Sequence, residues 1–438
     1  MAPADASGAP PAVTEDEEAA PPPKVTVRTI LGDRAVRVVM LITFVIMLGF
    51  GIIAPILPLY ARSFGVGYAD AGLLISSFAF TRLIFDLFAG PIVDRYGERA
   101  VATSGLMFVA VSSVLTGLAP NFPLAVVFRG AGGAGSSVLF AALYSYLLKV
   151  VPKHRMARTL GVFYGSFNIG FIAGGPIGGV IAHLLGLASP LFFYAGLCTL
   201  SGLLYLRLVS DPKRPAGSDA PDDTDKTDGV SFGRRTWSTV RELLRSRVFV
   251  TTVVLNMAFF WVIAGGYDTL IPLFGQSALH MSTVGIGGVL AVATGAEFLL
   301  LYPAGTIADR FGRRALLLPS LTWLAAMLVI TGWSGSVLVF GLMGGLLGIG
   351  SGSVAVAPAA MLSDVVPERR SGVAVGVFRF FGDLGFVFGP LVAGASAGTF
   401  GFKTAFALMA LPLIVALALI LWSPETLRRA ASHADTGR

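Results

Sequence analysis

Arg82, Asp86, Arg129, Asp268, Glu297, Arg379 and Asp383 all fall inside long apolar stretches of this chain. An ionised group at the centre of a bilayer costs about 2.5–3.5 kcal/mol on insertion scales. Such residues therefore face a partner or a watery cavity, and they mark paths for protons, ions or charged ligands. Arg82 and Asp86 are four residues apart, and so are Arg379 and Asp383, so each pair shares a helix face. Counting back from Asp94, Asp86 lies roughly 12 Å and Arg82 roughly 18 Å into the apolar layer. Counting forward from Ser371, Arg379 lies roughly 12 Å and Asp383 roughly 18 Å deep. Matched depths permit a two-rung ladder, with Asp86 opposite Arg379 and Arg82 opposite Asp383. The other arrangement satisfies each pair within its own helix.

The elements that carry these residues are long and apolar. Twelve stretches, near 36–60, 69–93, 100–119, 122–148, 158–186, 190–209, 247–274, 282–308, 314–333, 336–361, 371–397 and 401–422, approach the ~20 residues a helix needs to cross a bilayer. Hydrophobic residues make up 55% of the chain and charged residues 13%, against roughly 25% charged in soluble domains. Mean hydropathy is +0.78. The fold class expected is an all-α integral membrane protein of twelve transmembrane helices in two pseudo-symmetric six-helix bundles.

Of the 32 Lys and Arg, Arg62 and Lys403 fall in loops on one side, and Arg82, Arg129 and Arg379 lie within spans. The others gather at or near the opposite side, which the positive-inside rule makes cytoplasmic, with both termini. The net charge of +7 thus belongs to membrane topology, and no nucleic-acid partner is expected. The organisation expected is a disordered cytoplasmic tail (1–33), a first bundle (34–209), a linker (210–246), a second bundle (247–424) and a short tail (425–438). Within the linker, Trp237, Val240 and Leu244 share a helix face opposite most of the arginines. A short helix on the inner leaflet fits this pattern, as does a solvated basic helix.

The chain also repeats itself. Gly90-Pro-Ile-Val-Asp94-Arg95-Tyr-Gly97-Glu-Arg99 returns 215 residues later as Gly305-Thr-Ile-Ala-Asp309-Arg310-Phe-Gly312-Arg313-Arg314. Gly161-Val-Phe matches Gly376-Val-Phe. Gly175-Pro176-Ile-Gly178-Gly179 matches Gly389-Pro390-Leu-Val-Ala393-Gly394, with one residue fewer after Gly385. Pro58 has its counterpart in Pro272. Two similar halves in a polytopic membrane chain are the mark of a transporter.

The ten-residue motif resembles the loop between spans two and three of the major facilitator superfamily, and the resemblance covers most of residues 36–422. It implies that Gly90, Asp94, Arg95, Gly97 and Arg99, with Gly305, Asp309, Arg310, Gly312 and Arg313, latch the cytoplasmic side. Asp94 would then stand near the positive N-terminal end of span eleven, while Gly97 would let the loop turn. It also makes spans two and eleven neighbours, as the ladder requires. Arg129-Gly130-Ala-Gly132-Gly133-Ala134-Gly135 is similar to the family's fourth-span motif, whose buried Arg is associated with proton coupling. The same residues match G-x-G-x-x-G, but without a preceding strand that match carries no nucleotide site. Close helix contact is the better reading of these glycines.

Gly174-Gly175-Pro176-Ile-Gly178-Gly179 in span five resembles the antiporter motif of the superfamily's exporters. Gly170 stands one place early for the usual spacing, which span eleven keeps as Gly385-Phe-Val-Phe-Gly389-Pro390. Pro55 and Pro58 are similar to the twelve-span drug:proton antiporter branch. The glycines would allow close packing and the prolines a bend.

Glu297 takes the place of Arg82 at the repeat offset. Its pseudo-symmetric neighbour, span five, offers Tyr164 and Asn168 and no cation. A carboxylate so placed could exchange a proton against substrate, with Arg129 and Asp268 modulating it. It could also attract a cationic substrate, or sit protonated against Asn168. Asp268 is expected nearer the outer end of span seven, where water could reach it. Phe259, Phe260, Trp261, Tyr267, Phe378, Phe380 and Phe381 could line an apolar cavity or face lipid.

Other classes fit less well. The four histidines show no zinc-ligand spacing, no nucleophile triad is visible, and Cys198 has no partner for a disulfide. No enzyme, metal or cofactor is expected, and no nucleotide-binding unit suggests ATP-driven transport. The expected function is a secondary transporter of the cell membrane, multi-pass and monomeric, that uses the proton gradient to export small, partly apolar compounds. A proton symporter or facilitator for nutrient uptake, or a lipid exporter, are the rival readings.

Overall fold

The computed structural model describes residues 32–151, 153–210, 238–366 and 371–426, without the side chains of 153–158, 160, 161, 164, 168, 371 and 372. The tail through residue 31, linker residues 211–237 with Trp237, and residues 427–438 lie outside the described residues. Residues 238–243 are helical.

Among the described residues, twelve long helices follow one another: α1 (Arg34–Arg62), α2 (Tyr68–Tyr96), α3 (Glu98–Gly117), α4 (Phe122–Val150), α5 (Lys153–Leu185), α6 (Ser189–Leu208), α7 (Arg247–Ser277), α8 (Thr283–Phe311), α9 (Arg313–Thr331), α10 (Val337–Val365), α11 (371–400) and α12 (402–422). The last two run on as one apolar stretch, Val373–Trp422, that the backbone divides at Gly401. There φ is 80°, a conformation that glycine adopts without penalty. No strand occurs among the described residues.

Helix ends follow the repeat. Asn121 caps α4 by accepting the Leu124 N–H, and Ser336, 215 residues later, caps α10 by accepting that of Val339. Gly97 and Gly312 make the tight α2–α3 and α8–α9 turns at φ 82° and 100°. Prolines set the bends. α1 breaks after Ile53, ahead of Pro58, and α10 after Ala355, ahead of Pro358.

Each half buries its own apolar core. The first is built on residues such as Val39, Leu74, Leu106, Leu143 and Tyr205, the second on Leu255, Leu290, Leu324, Leu347 and Phe406. Leu273 packs into the first core and Leu59 into the second, so α1 and α7 are knitted across the interface. The bundles also meet along α2–α11 and α5–α8. The ends bearing Gly97, Gly312 and most arginines form one face, here the basic face. At the opposite face the bundles touch through backbone. A methyl on Gly394 would strike the Tyr68 carbonyl oxygen, and one on Gly179 would stand 2.5 Å from that of Thr283. At the basic face, a Cβ on Gly90 or Gly305 would meet nothing within 4 Å. The bundles therefore close at the opposite face and part at the basic one.

Candidate functional site

The ladder residues meet across the bundles. Arg82 Nη2 donates to Asp383 Oδ1, and Arg379 Nη2 lies 3.9 Å from Asp86 Oδ2. Ser137 Oγ of α4 donates to Asp86 Oδ1 at 2.5 Å, and the Arg82 guanidinium lies 5.6 Å from the Phe386 ring centroid. Of the two pairings that spacing allowed, the geometry is the one between helices.

Glu297 accepts from a residue that the sequence reading did not single out. Ser351 Oγ of α10 donates to Glu297 Oε2 at 2.9 Å, and Tyr267 Oη of α7 donates to Ser351 Oγ at 3.2 Å. This chain of hydroxyls joins α7, α10 and α8 inside the second bundle. No cation stands within ion-pair distance of Glu297 among the described residues. The side chains of Tyr164 and Asn168 lie outside the described residues. Ser351 was hidden by ordinary membrane-helix composition, where a serine is unremarked.

Asp268 corrects an expectation. It is 4% exposed, not open to water. Residues Val262–Leu270 of α7 form a π-helix, with i→i+5 bonding. Gly265-Gly266 lets this widened segment press against its neighbours: a Cβ on Gly265 would stand 2.8 Å from the Gly389 carbonyl oxygen. α7 continues to Ser277, so Asp268 lies nine residues from its end. Asp268 lines a cavity of about 10 Å³ with Arg82, Arg129, Phe50, Phe78 and Phe386. It forms no ion pair among the described residues.

Arg129 on α4 is 1% exposed. Its Nε and Nη1 have no hydrogen-bond partner among the described residues. The guanidinium sits 4.1 Å from the centroid of Phe78, a cation–π contact. The glycines after it bring helices together, because a Cβ on Gly133 would strike the Phe78 carbonyl oxygen and one on Gly132 the Ser112 hydroxyl.

The repeated loops are not equally engaged. In the second, Arg313 Nη1 donates to Asp309 at 2.5 Å and Nε to Asp364 at 3.3 Å. Glu425 accepts the backbone N–H groups of Arg313 and Arg314, each at 3.0 Å. In the first, the start of α11, which Asp94 was expected to face, lies partly outside the described residues (367–370 and the side chains of 371 and 372), and no contact of Asp94 with it is described. Asp94 is exposed, with no ion pair among the described residues. The cause is the parting of the bundles at this face, which leaves Gly90 beside open space. Arg95 and Arg310 are also exposed, each over its own neighbouring ring, Tyr96 or Phe311. Arg99 Nε donates to the Leu206 carbonyl at 2.9 Å, and Arg314 Nη2 to that of Leu421 at 3.2 Å. Sequence reasoning missed Glu98, which accepts from Lys149 and from Ser145 at 2.8 Å. It also missed Asp364 and Glu425. The offset of 215 was the available signal, since it carries Glu98 to Arg313 and Lys149 to Asp364.

The glycine elements run on two faces of each helix. On α5, Gly170, Gly174 and Gly178 abut the backbone of α1, while Gly175 and Gly179 abut that of α8. On α11, Gly385 and Gly389 abut α7, while Pro390 and Gly394 abut α2 at Gly72 and Tyr68. The contacts Gly179–Thr283 and Gly394–Tyr68 are equivalent at an offset of 215, as are Gly175–Gly287 and Pro390–Gly72. This corrects the one-residue gap expected after Gly385. The packing keeps the offset without a gap, and it is the proline that moves, from Pro176 to Pro390.

Comparison with known proteins agrees with this architecture. The sequence profile of the Major Facilitator Superfamily matches residues 39–300 and 285–437. The quinolone resistance protein NorA of Staphylococcus aureus is 25% identical over 355 residues, covering 80% of this chain and 87% of that protein. An uncharacterized MFS-type transporter of Methanocaldococcus jannaschii is 24% identical over 383 residues, covering 87% of this chain and 96% of its own. Among solved structures, a bacterial homolog of the human lysosomal transporter Spinster, inward-facing and unoccupied, aligns with a TM-score of 0.73 at 16% identity, over 91% of this chain and 97% of that one. The human organic anion transporter MFSD10 aligns with a TM-score of 0.62 at 18% identity, over 88% and 99%.

Proposed function

The chain belongs to the major facilitator superfamily, and on that premise we propose that it is a proton-coupled antiporter that exports small, partly apolar compounds. The basic face is cytoplasmic, as the distribution of Lys and Arg favours. The described conformation then opens inward. Transport proceeds by alternating access, in which the bundles rock about the midplane. The contacts of Gly72, Gly175, Gly179 and Gly394 release while those of Asp94 and Gly90 form.

The observation that carries this reading is Glu297, a deep carboxylate held by hydroxyls and facing no cation among the described residues. A proton can neutralise it in one state and leave it in the other, at no cost in a broken ion pair. Arg129 and Asp268, which line one cavity together, bias that exchange. The Arg82–Asp383 and Asp86–Arg379 pairs hold the bundles in register and re-form as they rock. Two further lines support export: the Gly-Pro-x-x-Gly-Gly element of α5, and relatives named for quinolone resistance.

The test is proton release from acid-loaded everted vesicles given lipophilic cations, neutral antibiotics or sugars, with wild type and Glu297→Gln side by side. Compound-triggered alkalinisation of the lumen that Glu297→Gln abolishes is the expected result. A signal that survives in the mutant moves the proton site to Asp86, Asp383 or Asp268. Silence toward every compound, in folded protein, makes uptake or facilitation the better reading.

A further inference from the structure

The midplane cavity sets two opposite charges on walls from different bundles. Arg129 comes from α4, on the first bundle's side, and Asp268 from the π-helical part of α7, on the second. Both are buried. Neither forms an ion pair with the other or with any described residue. Arg82, the remaining charged residue of the lining, is committed to Asp383. The rest of the lining is apolar and includes the rings of Phe50, Phe78 and Phe386.

A buried guanidinium with unpaired nitrogens is an expensive arrangement, and so is a buried carboxylate without a donor. Arg129 could have been relieved by a carboxylate on a neighbouring helix, as Arg82 is. Instead its ring contact with Phe78 covers one face and leaves Nε and Nη1 without partners. The two vacant charges complement a ligand that carries both signs.

We propose that this cavity is the binding site for a compact aromatic zwitterion, its carboxylate held by Arg129, its ammonium by Asp268 and its ring among the phenylalanines. The planar guanidinium suits a carboxylate. The inference rests on the transport reading above and narrows its substrate class. In the described conformation the cavity, at about 10 Å³, has room for roughly one water. The ligand therefore enters as the bundles part, and its two ends bridge walls that move relative to each other. Binding and rocking are coupled by that bridge.

Four probes on one rigid body decide the matter: 6-(aminomethyl)naphthalene-2-carboxylate, its methyl ester (cation only), 6-methylnaphthalene-2-carboxylate (anion only) and 2,6-dimethylnaphthalene. Binding to the full chain in nanodiscs is read by equilibrium dialysis with naphthalene fluorescence. The zwitterion is expected to bind at least tenfold tighter than each of the others. Arg129→Gln should erase the preference for carboxylate-bearing probes without weakening the ester, and Asp268→Asn should erase the preference for amine-bearing probes without weakening 6-methylnaphthalene-2-carboxylate. Equal binding of all four probes, or tightest binding of the ester, overturns the proposal. If Arg129→Gln does not fold, the wild-type series and Asp268→Asn still decide. The export reading fails separately. Proton flux driven by the ester without tight zwitterion binding keeps antiport and overturns this site, whereas zwitterion binding without flux supports the site and overturns antiport.

Discussion

Glu98 and Arg313 occupy the same position in the two halves, 215 residues apart, and carry opposite charges. Their partners are inverted too, Lys149 for Glu98 and Asp364 for Arg313. Each stands at the first turn of its helix. A carboxylate there is favoured by the helix dipole and a guanidinium is not. The second half makes up the difference with more acids, as Asp309 and Glu425 join Asp364 around Arg313. Among the described residues, Glu98 and Arg313 thus each find their counter-charges within their own bundle.

Glu98 is 3% exposed, so removing its charge leaves Lys149 without its counter-ion and Ser145 with a weaker, neutral acceptor. Glu98→Gln should destabilise the first bundle by about 1–3 kcal/mol. Thermal unfolding in detergent gives the measurement, and an unchanged midpoint would show the pair to be idle. The swap Glu98→Lys with Lys149→Glu should recover only part, because a lysine then opposes the α3 dipole.

Glu425 joins the start of α9 to the segment that follows α12. Glu425→Ala should orphan the N–H groups of Arg313 and Arg314, at a cost of about 0.5–2 kcal/mol. Faster amide hydrogen exchange confined to the first turn of α9 is expected. Exchange unchanged there would mean that water replaces the carboxylate without loss.

The ladder makes a reciprocal prediction. Arg82→Asp and Asp383→Arg should each lower substrate-driven proton flux at least tenfold, and the double swap should restore a substantial part. The same holds for Asp86→Arg with Arg379→Asp, more weakly, because that rung is longer and Ser137 shares Asp86. A double swap no better than its singles rules out cross-pairing as a working element.

The chain of hydroxyls around Glu297 is tested by Ser351. Ser351→Ala should slow exchange while leaving the protein folded, and Ser351→Thr, which keeps the hydroxyl, should retain most of it. Equal rates in all three proteins would leave Glu297 working without that bridge.

The contacts at the opposite face should be intolerant of a single methyl. Gly394→Ala and Gly179→Ala place a Cβ against carbonyl oxygens of the other bundle. Both should shift the protein toward a form open at that face. Spin labels at Pro120→Cys and Gly335→Cys, with Cys198→Ser as background, should report a longer mean distance. An unaltered distance distribution would show that neighbouring helices yield instead.

Depth and periodicity made much of this legible. Matched distances from Asp94 and Ser371 put Arg82 and Asp86 level with Asp383 and Arg379, and helix rise is the most regular quantity in such a chain. What stayed hidden depends on departures from that regularity. The π-helix of α7 moves Asp268 in a way no α-helical count anticipates. Ser351 and Tyr267 are polar groups whose importance comes only from which helices touch. The motif placed Asp94 near the start of α11, but a sequence does not say how far apart the bundles stand at that face, where Asp94 is exposed. The offset of 215 also held where letter matching introduced a gap, because packing aligned Gly174 with Gly389 while the prolines differ by one place.

The closure at the opposite face is made of backbone and of missing side chains: Gly72 on Pro390, Gly394 on Tyr68, Gly179 on Thr283. Ser76 and Thr283 add hydroxyl bonds, but to carbonyl oxygens of Val387 and Gly179. Such a door has no lock matched to a particular key. A passing molecule finds little there to distinguish it from another, so the cargo can diversify through changes at the midplane while the hinge and door stay as they are.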